Sequence, residues 1–323
     1  MSSKAARQGG SLPRASQLVS PRMNAGVLRH DLDNIKMIVI DIDGTLLDPE
    51  GKITERTRAA VQAARQEGIV VTLATARRYC NTVQIARELG LECSLIVSDG
   101  AMIAGYPQAA VLQTHPMRSQ VAQQAVELFV RNGLQPVVHP DTGLQEEIWT
   151  GPTDKDNLWL ETYFSVYADQ VRRMPYETLC AGHADPLRVV TFDTEEAIAA
   201  VIPGVAALDC SWNTIKRGTY GCAEITVMDP HCSKASGVMA LARQLDIPLQ
   251  EIMALGDNNN DIPMLQAVGW GVAMGQAPAA VKAVAQAVTA SNAEDGAARA
   301  IETYALRCAA TSASNLRRRA TCL

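Results

Sequence analysis

The sequence predicts an α/β fold: a doubly wound parallel sheet interrupted by an inserted α+β unit. Three observations point there. Short apolar runs alternate with helical patterns through residue 100. The same alternation returns after residue 230. The stretch between them differs in composition and in its Gly and Pro punctuation.

The first run, Met37-Ile38-Val39-Ile40, reads as a buried strand. Residues 54–67, rich in Ala and Arg, read as a helix stopped by Gly68. Ile69-Val70-Val71-Thr72-Leu73-Ala74 gives a second strand, residues 81–89 a helix ending at Gly90, and Ser94-Leu95-Ile96-Val97 a third strand. This spacing implies right-handed crossovers and a parallel sheet. Late in the chain, residues 234–245 are helical in pattern, and Glu251-Ile252-Met253-Ala254-Leu255 is a short apolar strand. Residues 262–267 begin another helix. Gly271-Val272-Ala273-Met274 and Ala287-Val288-Thr289 are strands around an Ala/Val-rich helix over 278–285.

The middle carries Trp149, Trp159, Tyr163, Phe164, Tyr167, Tyr176, Phe192 and Trp212, most of the aromatic residues. Strands are expected over 189–192 and 224–227 and helices over 119–131 and 194–202. The organisation is therefore a disordered N-terminal extension (1–34), a core built from 35–112 and 230–305, an inserted unit (113–229) and a flexible tail (306–323). Residues 1–34 are basic and rich in Ser and Gly. A transit peptide, or a true start at Met23, would each account for them.

With 323 residues, 47% hydrophobic and 20% charged, the chain can bury a sizeable core. Aromatics are only 4%, so that core is aliphatic. The net charge of −5 speaks against a nucleic-acid partner, whose footprint is basic. The chain has no run of 18 apolar residues, so no membrane span is expected. Eight cysteines form no Cys-x-x-Cys pair and are expected as reduced thiols in a cytoplasmic protein. The adjacent His231 and Cys232 lack metal-ligand spacing. Nothing in the composition specifies an oligomeric state.

Asp41-Ile42-Asp43-Gly44-Thr45-Leu46-Leu47 follows the first strand directly. In open α/β sheets ligands bind at the C-terminal ends of strands. Two unpaired carboxylates at ~4 Å and an effective dielectric of ~20 repel by roughly 4 kcal/mol. A hard divalent cation relieves this, and Mg²⁺ prefers carboxylate oxygens. Asp and Gly are also ordinary turn residues. A second constellation, Gly256-Asp257-Asn258-Asn259-Asn260-Asp261, likewise sits between a strand and a helix. An Asn-rich turn capped by Asp261 would look similar. In the functional reading, Asp41, Asp43 and Asp257 share one Mg²⁺. Thr75-Ala76-Arg77 ends the second strand, where a hydroxyl and open N–H groups suit a phosphate. Lys234, at a loop-to-helix junction, supplies the cation that a phosphoryl group at an acidic site requires.

Together these motifs resemble those of the haloacid dehalogenase (HAD)-like superfamily, closest to its Cof-type phosphatases with a mobile α/β (C2B-type) cap. Asp41 to Leu47 resembles the first motif of that family, Thr75-Ala76-Arg77 the second, Lys234 the third and Gly256 to Asp261 with Met264-Leu265 the fourth. Gly271 to Gly275 and Ser291 to Gly296 resemble the stretches after it, so the likeness spans residues ~35–303. It implies a Mg²⁺-dependent phosphatase acting on a small phosphorylated metabolite such as a sugar phosphate, pyridoxal phosphate or flavin mononucleotide.

By the same resemblance Asp41 is the nucleophile that becomes an aspartyl-phosphate, and Asp43 is the acid and base. Asp41, the backbone carbonyl of Asp43 and Asp257 hold the metal. Thr75, Ala76 and Lys234 bind phosphate, while Asn260 and Asp261 orient Lys234 and the metal waters. The inserted unit would be a lid whose segments, such as 142–147 and 212–220, select the leaving group. Two positions depart from the family pattern. Ala76 stands where Gly is usual, and Asp99 in Asp99-Gly100-Ala101 stands where Asn is usual, adding a charge near the metal. Arg77 and Asp99 are further candidate site residues. Two other readings stay open: a phosphomutase of the same superfamily and a non-catalytic phosphate-ligand-binding protein.

Overall fold

A computed structural model describes residues 34–306 except 183, 184, 217 and 219. The expected extension up to residue 33 and the tail from 307, with Cys308 and Cys322, lie outside the described residues. Strand β1 (Met37–Ile40) leads to helix α1 (Glu55–Gln66), β2 (Val70–Leu73), α2 (Tyr79–Glu88) and β3 (Leu95–Val97). Strands β4 (Met102–Gly105) and β5 (Ala110–Thr114) follow. The inserted unit runs through α3 (Ser119–Arg131), β6 (Val137–Pro140), β7 (Ile148–Thr150), α4 (Leu158–Val166), β8 (Val171–Arg173), β9 (Pro186–Asp193), α5 (Glu195–Val205), β10 (Ser211–Ile215) and β11 (Ala223–Met228). The chain returns as α6 (Lys234–Gln244), β12 (Ile252–Gly256), α7 (Ile262–Ala267), β13 (Trp270–Ala273), α8 (Ala279–Val284), β14 (Ala287–Val288) and α9 (Gly296–Ala300).

The core sheet has the order β14-β13-β12-β1-β2, with every pairing parallel. Central β1 is buried along its whole length, which is why it reads as an unbroken apolar run. Alternation sends Ile38 and Ile40 to the layer that contains Val61 and Ala64 of α1. Met37 and Val39 go to the opposite layer, with Val238 of α6 and Met264 of α7. Helices therefore cover both faces, as the alternating pattern predicts.

The third strand keeps the expected parallel direction but barely joins the sheet. It meets the parallel sheet only at the Ala74–Ile96 bridge, and otherwise pairs antiparallel with β4 in a three-stranded ribbon with β5. The cause lies immediately after it: Ser98 (φ 52°), Asp99 (φ 56°) and Gly100 (φ 92°) are all left-handed and fold the chain back. Helix α2 begins at Tyr79, two residues earlier than its pattern suggests. The Glu146 carboxylate accepts from the backbone N–H groups of Tyr79 (2.7 Å) and Cys80 (2.8 Å), a remote cap that local sequence does not reveal. Helix α5 also runs past residue 202, with Pro203 in its last turn.

The inserted unit is built on a six-stranded sheet of order β10-β11-β9-β6-β7-β8, antiparallel except for β7 with β8. One face, with Val138, Val189, Ile225 and Val227, packs on α3 and α5 around Phe129 and Val201. The other face packs partly on α4 and otherwise roofs a cavity above the C-terminal ends of β1 and β2.

Candidate active site

Asp41 leaves β1 while still in register, its backbone N–H donating to Leu255 O of β12 (3.0 Å). The turn that follows is closed by Leu46 N to Asp41 O and Leu47 N to Ile42 O, both 3.1 Å. Gly44 sits at φ 82°, and a Cβ there would lie 2.4 Å from Asp257 Oδ2. Glycine is thus required both for the turn and for the close approach of the two acidic loops.

Asp41, buried with 5% of its surface exposed, accepts a hydrogen bond from Lys234 Nζ at 2.7 Å on Oδ1. Lys234 opens α6 behind a Ser233–Ser236 capping box, and its ammonium also donates to Asp261 Oδ1 at 2.7 Å. Burial alone would push the Lys234 pKa down, but Asp261 and Asp41 outweigh it and hold it above its ordinary value. The second Asp261 oxygen accepts from the backbone N–H groups of Asp257 (3.0 Å) and Asn258 (2.9 Å) and so shapes the loop after β12. Asp257 Oδ1 accepts from Thr45 Oγ1 at 3.3 Å.

Asp41, Asp257 and Asp261 each bring a carboxylate oxygen within 4.8 Å of the others, the one group of three acidic, His or Cys side chains so close among the described residues. Burial pushes Asp41 well above its ordinary pKa, with Asp261 and Asp257 adding to it and Lys234 opposing. Burial and the neighbouring Asp261 push Asp257 up to about 6. One ammonium against three carboxylates leaves excess negative charge, and an oxygen-rich, anionic donor set of this kind fits a hard divalent cation. The Asp43 carboxylate is not part of this trio. It turns to Arg77, accepting from Nε (2.8 Å) and Nη2 (2.6 Å).

Thr75 accepts from the backbone N–H of Arg77 at 3.1 Å, leaving its own hydroxyl proton available. Asp41, Asp43, Thr75, Lys234 and Asp257 line one cavity of about 650 Å³, together with Ala76, Arg77 and Asn260. Asp261 is fully buried beneath it. Asp99 instead lines a neighbouring cavity. It accepts from Asn260 Nδ2 at 3.0 Å, while its Oδ2 is buried without a hydrogen-bond partner among the described residues.

The residues of the family model for haloacid dehalogenase-like hydrolases match positions 38–301. The chain belongs to that family. It is an enzyme of the phosphatase type among the HAD-like hydrolases, and curated relatives are named as phosphatases. It is 28% identical to the 5-amino-6-(5-phospho-D-ribitylamino)uracil phosphatase YcsE of Bacillus subtilis, over 87% of this chain and 99% of the relative. It is 25% identical to the pyridoxal phosphate phosphatase YbhA of Escherichia coli, over 83% and 98%. A solved HAD subclass IIB sugar phosphatase, BT4131, superimposes with a TM-score of 0.65 at 26% identity, over 83% of this chain and 98% of that one.

The roof of the cavity in this HAD-like hydrolase was only partly legible in advance. Of the two segments expected to choose the leaving group, 212–220 contributes Ile215, Gly218 and Tyr220. Residues 142–147 do not line it; Glu146 is the remote cap of α2 instead. Sequence reading missed Arg78, His139, Tyr163, Arg188 and Glu224, all of which line the cavity. Arg188 and Glu224 had one available sign: each is a charge set directly against an apolar strand pattern. The six described cysteines are free, and the described helices include none long and apolar enough to cross a membrane.

Proposed function

We propose that this enzyme is a Mg²⁺-dependent phosphatase that hydrolyses a small phosphorylated metabolite through an aspartyl-phosphate on Asp41. The observation that carries the reading is the placement of Asp41. It lines the cavity with Oδ1 held by Lys234, and its second oxygen takes no hydrogen bond among the described residues. Asp41, Asp257 and the Asp43 backbone carbonyl would hold Mg²⁺, which when bound would supply positive charge against the phosphoryl oxygens.

The chain's own groups do the rest. Lys234, the Thr75 hydroxyl and the Ala76 N–H bind non-bridging oxygens. Asp41 attacks phosphorus, the ester P–O bond breaks, and Asp43 gives its proton to the leaving alkoxide. Arg77 holds Asp43 in place for this, and Asp43 then takes a proton from the water that cleaves the aspartyl-phosphate. Asp261 keeps Lys234 aimed and the loop of Asp257 closed, and Asn260 steadies Asp99. We take residues 113–229 as a cap over a core of 35–112 and 230–305, since two apolar clusters lie wholly within the cap and only Leu187, Met228 and part-buried Leu144 of it join a core cluster. The relatives named for pyridoxal phosphate and a ribitylaminouracil phosphate support a small metabolite as substrate. Free described thiols support a reducing, cytoplasmic setting.

The test is phosphate release from a panel of phosphomonoesters with Mg²⁺. Asp41→Asn is expected to abolish release with folding intact, and Asp43→Asn to accumulate phosphoenzyme. Near-normal turnover by Asp41→Asn would refute the nucleophile. Isomerised product without phosphate release would favour a mutase.

A further inference from the structure

Strand alternation decides which side chains of the six-stranded sheet meet the catalytic aspartates. Arg188, Val190 and Phe192 of β9 share the cavity face. Glu224 of β11 stands opposite Phe192, and His139 of β6 stands opposite Arg188. Three of these are charged or titratable, on a face otherwise walled by aromatic rings. Tyr163, Phe192 and Tyr220 form a corner with ring centroids 5.4–5.6 Å apart.

Most of the polar capacity here is already used. Arg188 donates from Nε to His139 Nδ1 and from Nη1 to the Ala76 carbonyl, each at 2.7 Å. Because Nδ1 accepts, the imidazole proton sits on Nε2, which donates to Tyr163 Oη at 2.8 Å. Burial, with Arg188 and Arg78 nearby, pushes His139 well below its ordinary pKa, so the ring is neutral. Burial pushes the Tyr163 phenol up, so it keeps its proton. Tyr163 therefore accepts from His139 and still has an O–H to donate. Glu224 has the complementary vacancy. One oxygen accepts from Thr226 Oγ1 at 3.1 Å, and the other takes no hydrogen bond among the described residues.

Building on the phosphatase reading above, we propose that Glu224 is a specificity-determining residue: it accepts a hydrogen bond from an O–H or N–H on the leaving group, while Tyr163 donates one to an acceptor on that group. The ligand class is a phosphomonoester whose organic part has one flat apolar face for the aromatic corner and a hydroxyl or N–H beside it. The relay from Ala76 through Arg188 and His139 holds Tyr163 in register with the phosphate loop, so both ends of the substrate are read against one frame. An ester that lacks the donor leaves an enclosed carboxyl group unmet, and such sites reject the deficient analogue strongly.

The experiment measures kcat/KM for phosphate release from phenethyl phosphate and its 2-, 3- and 4-hydroxy derivatives, with p-nitrophenyl phosphate alongside. In the unmodified enzyme at least one hydroxylated ester is expected to exceed the parent by tenfold or more. Glu224→Leu brings that ratio within about twofold of one. Glu224→Gln, which keeps a carbonyl acceptor, retains most of it. The ratio cancels any loss of folded enzyme, so a merely structural role would leave it unmoved. Equal turnover of parent and derivatives, or a tenfold ratio that persists in Glu224→Leu, overturns the inference while the phosphatase reading stands. No turnover of any ester with Mg²⁺ removes that reading and this inference together.

Discussion

Arg77 grips Asp43 through two parallel hydrogen bonds, Nε to Oδ2 at 2.8 Å and Nη2 to Oδ1 at 2.6 Å. The pair links the turn after β1 to the turn after β2, and it aims the Asp43 side chain away from the carboxylate trio. The Asp43 side chain is 51% exposed, so the stabilisation is small; the bidentate geometry matters for position. Arg77→Met is expected to lower kcat by about 10- to 100-fold, the scale on which a misplaced catalytic group costs rate. The melting temperature should barely change. Steady-state kinetics with a thermal melt checks this, and an unchanged kcat would show that Asp43 needs no such guide.

Metal addition should stabilise the protein measurably. Asp41, Asp257 and Asp261 crowd within 4.8 Å, and Lys234 offsets only part of their charge. Saturation at 100 times Kd contributes ~2.7 kcal/mol, or about 5 °C in Tm. The shift is expected with Mg²⁺ against EDTA at pH 7.5. It should shrink at pH 5.5, because Asp257 titrates at about 6 and protons then compete with the ion. A shift of equal size at both pH values would place the ion elsewhere.

Glu224 should make the protein less stable as pH rises. Burial pushes its carboxyl up to about 7 from an ordinary 4.5, with Arg188 opposing. Between those values the folded state holds the proton and the unfolded state does not, so stability falls with increasing pH until the folded group ionises. Glu224→Gln removes that cost. The variant should match the parent near pH 5 and exceed it at pH 8 by up to about 3 kcal/mol. Denaturant melts at the two pH values decide it, and an advantage confined to pH 5 would reverse the sign of the argument.

Asp99→Asn is expected to stabilise the metal-free protein by about 1 kcal/mol. The Asp99 Oδ2 is buried without a partner among the described residues, whereas Oδ1, which Asn would keep, receives Asn260. Lys234 attracts Asp99 but already carries Asp41 and Asp261, so the site loses surplus negative charge. A left-handed φ of 56° also suits Asn. A melting temperature that falls on substitution would mean that the Asp99 charge is needed to balance Lys234.

Local sequence determined the strand-end positions of Asp41, Thr75 and Asp257 and the parallel core, because period and turn chemistry are properties of neighbouring residues. It also marked Lys234 and Asp261, though not that one ammonium would bridge Asp41 and Asp261 across 193 and 27 positions. β3 runs parallel as its pattern implied, but its antiparallel partner β4 was not legible, because three consecutive left-handed residues after β3, only one of them glycine, reverse the chain. The roof of the cavity was decided by tertiary structure alone. Glu146 caps a helix 66 residues away, and Arg188 meets Ala76 across 112. Such contacts depend on how two separately packed sheets face each other, and no short-range pattern encodes that docking.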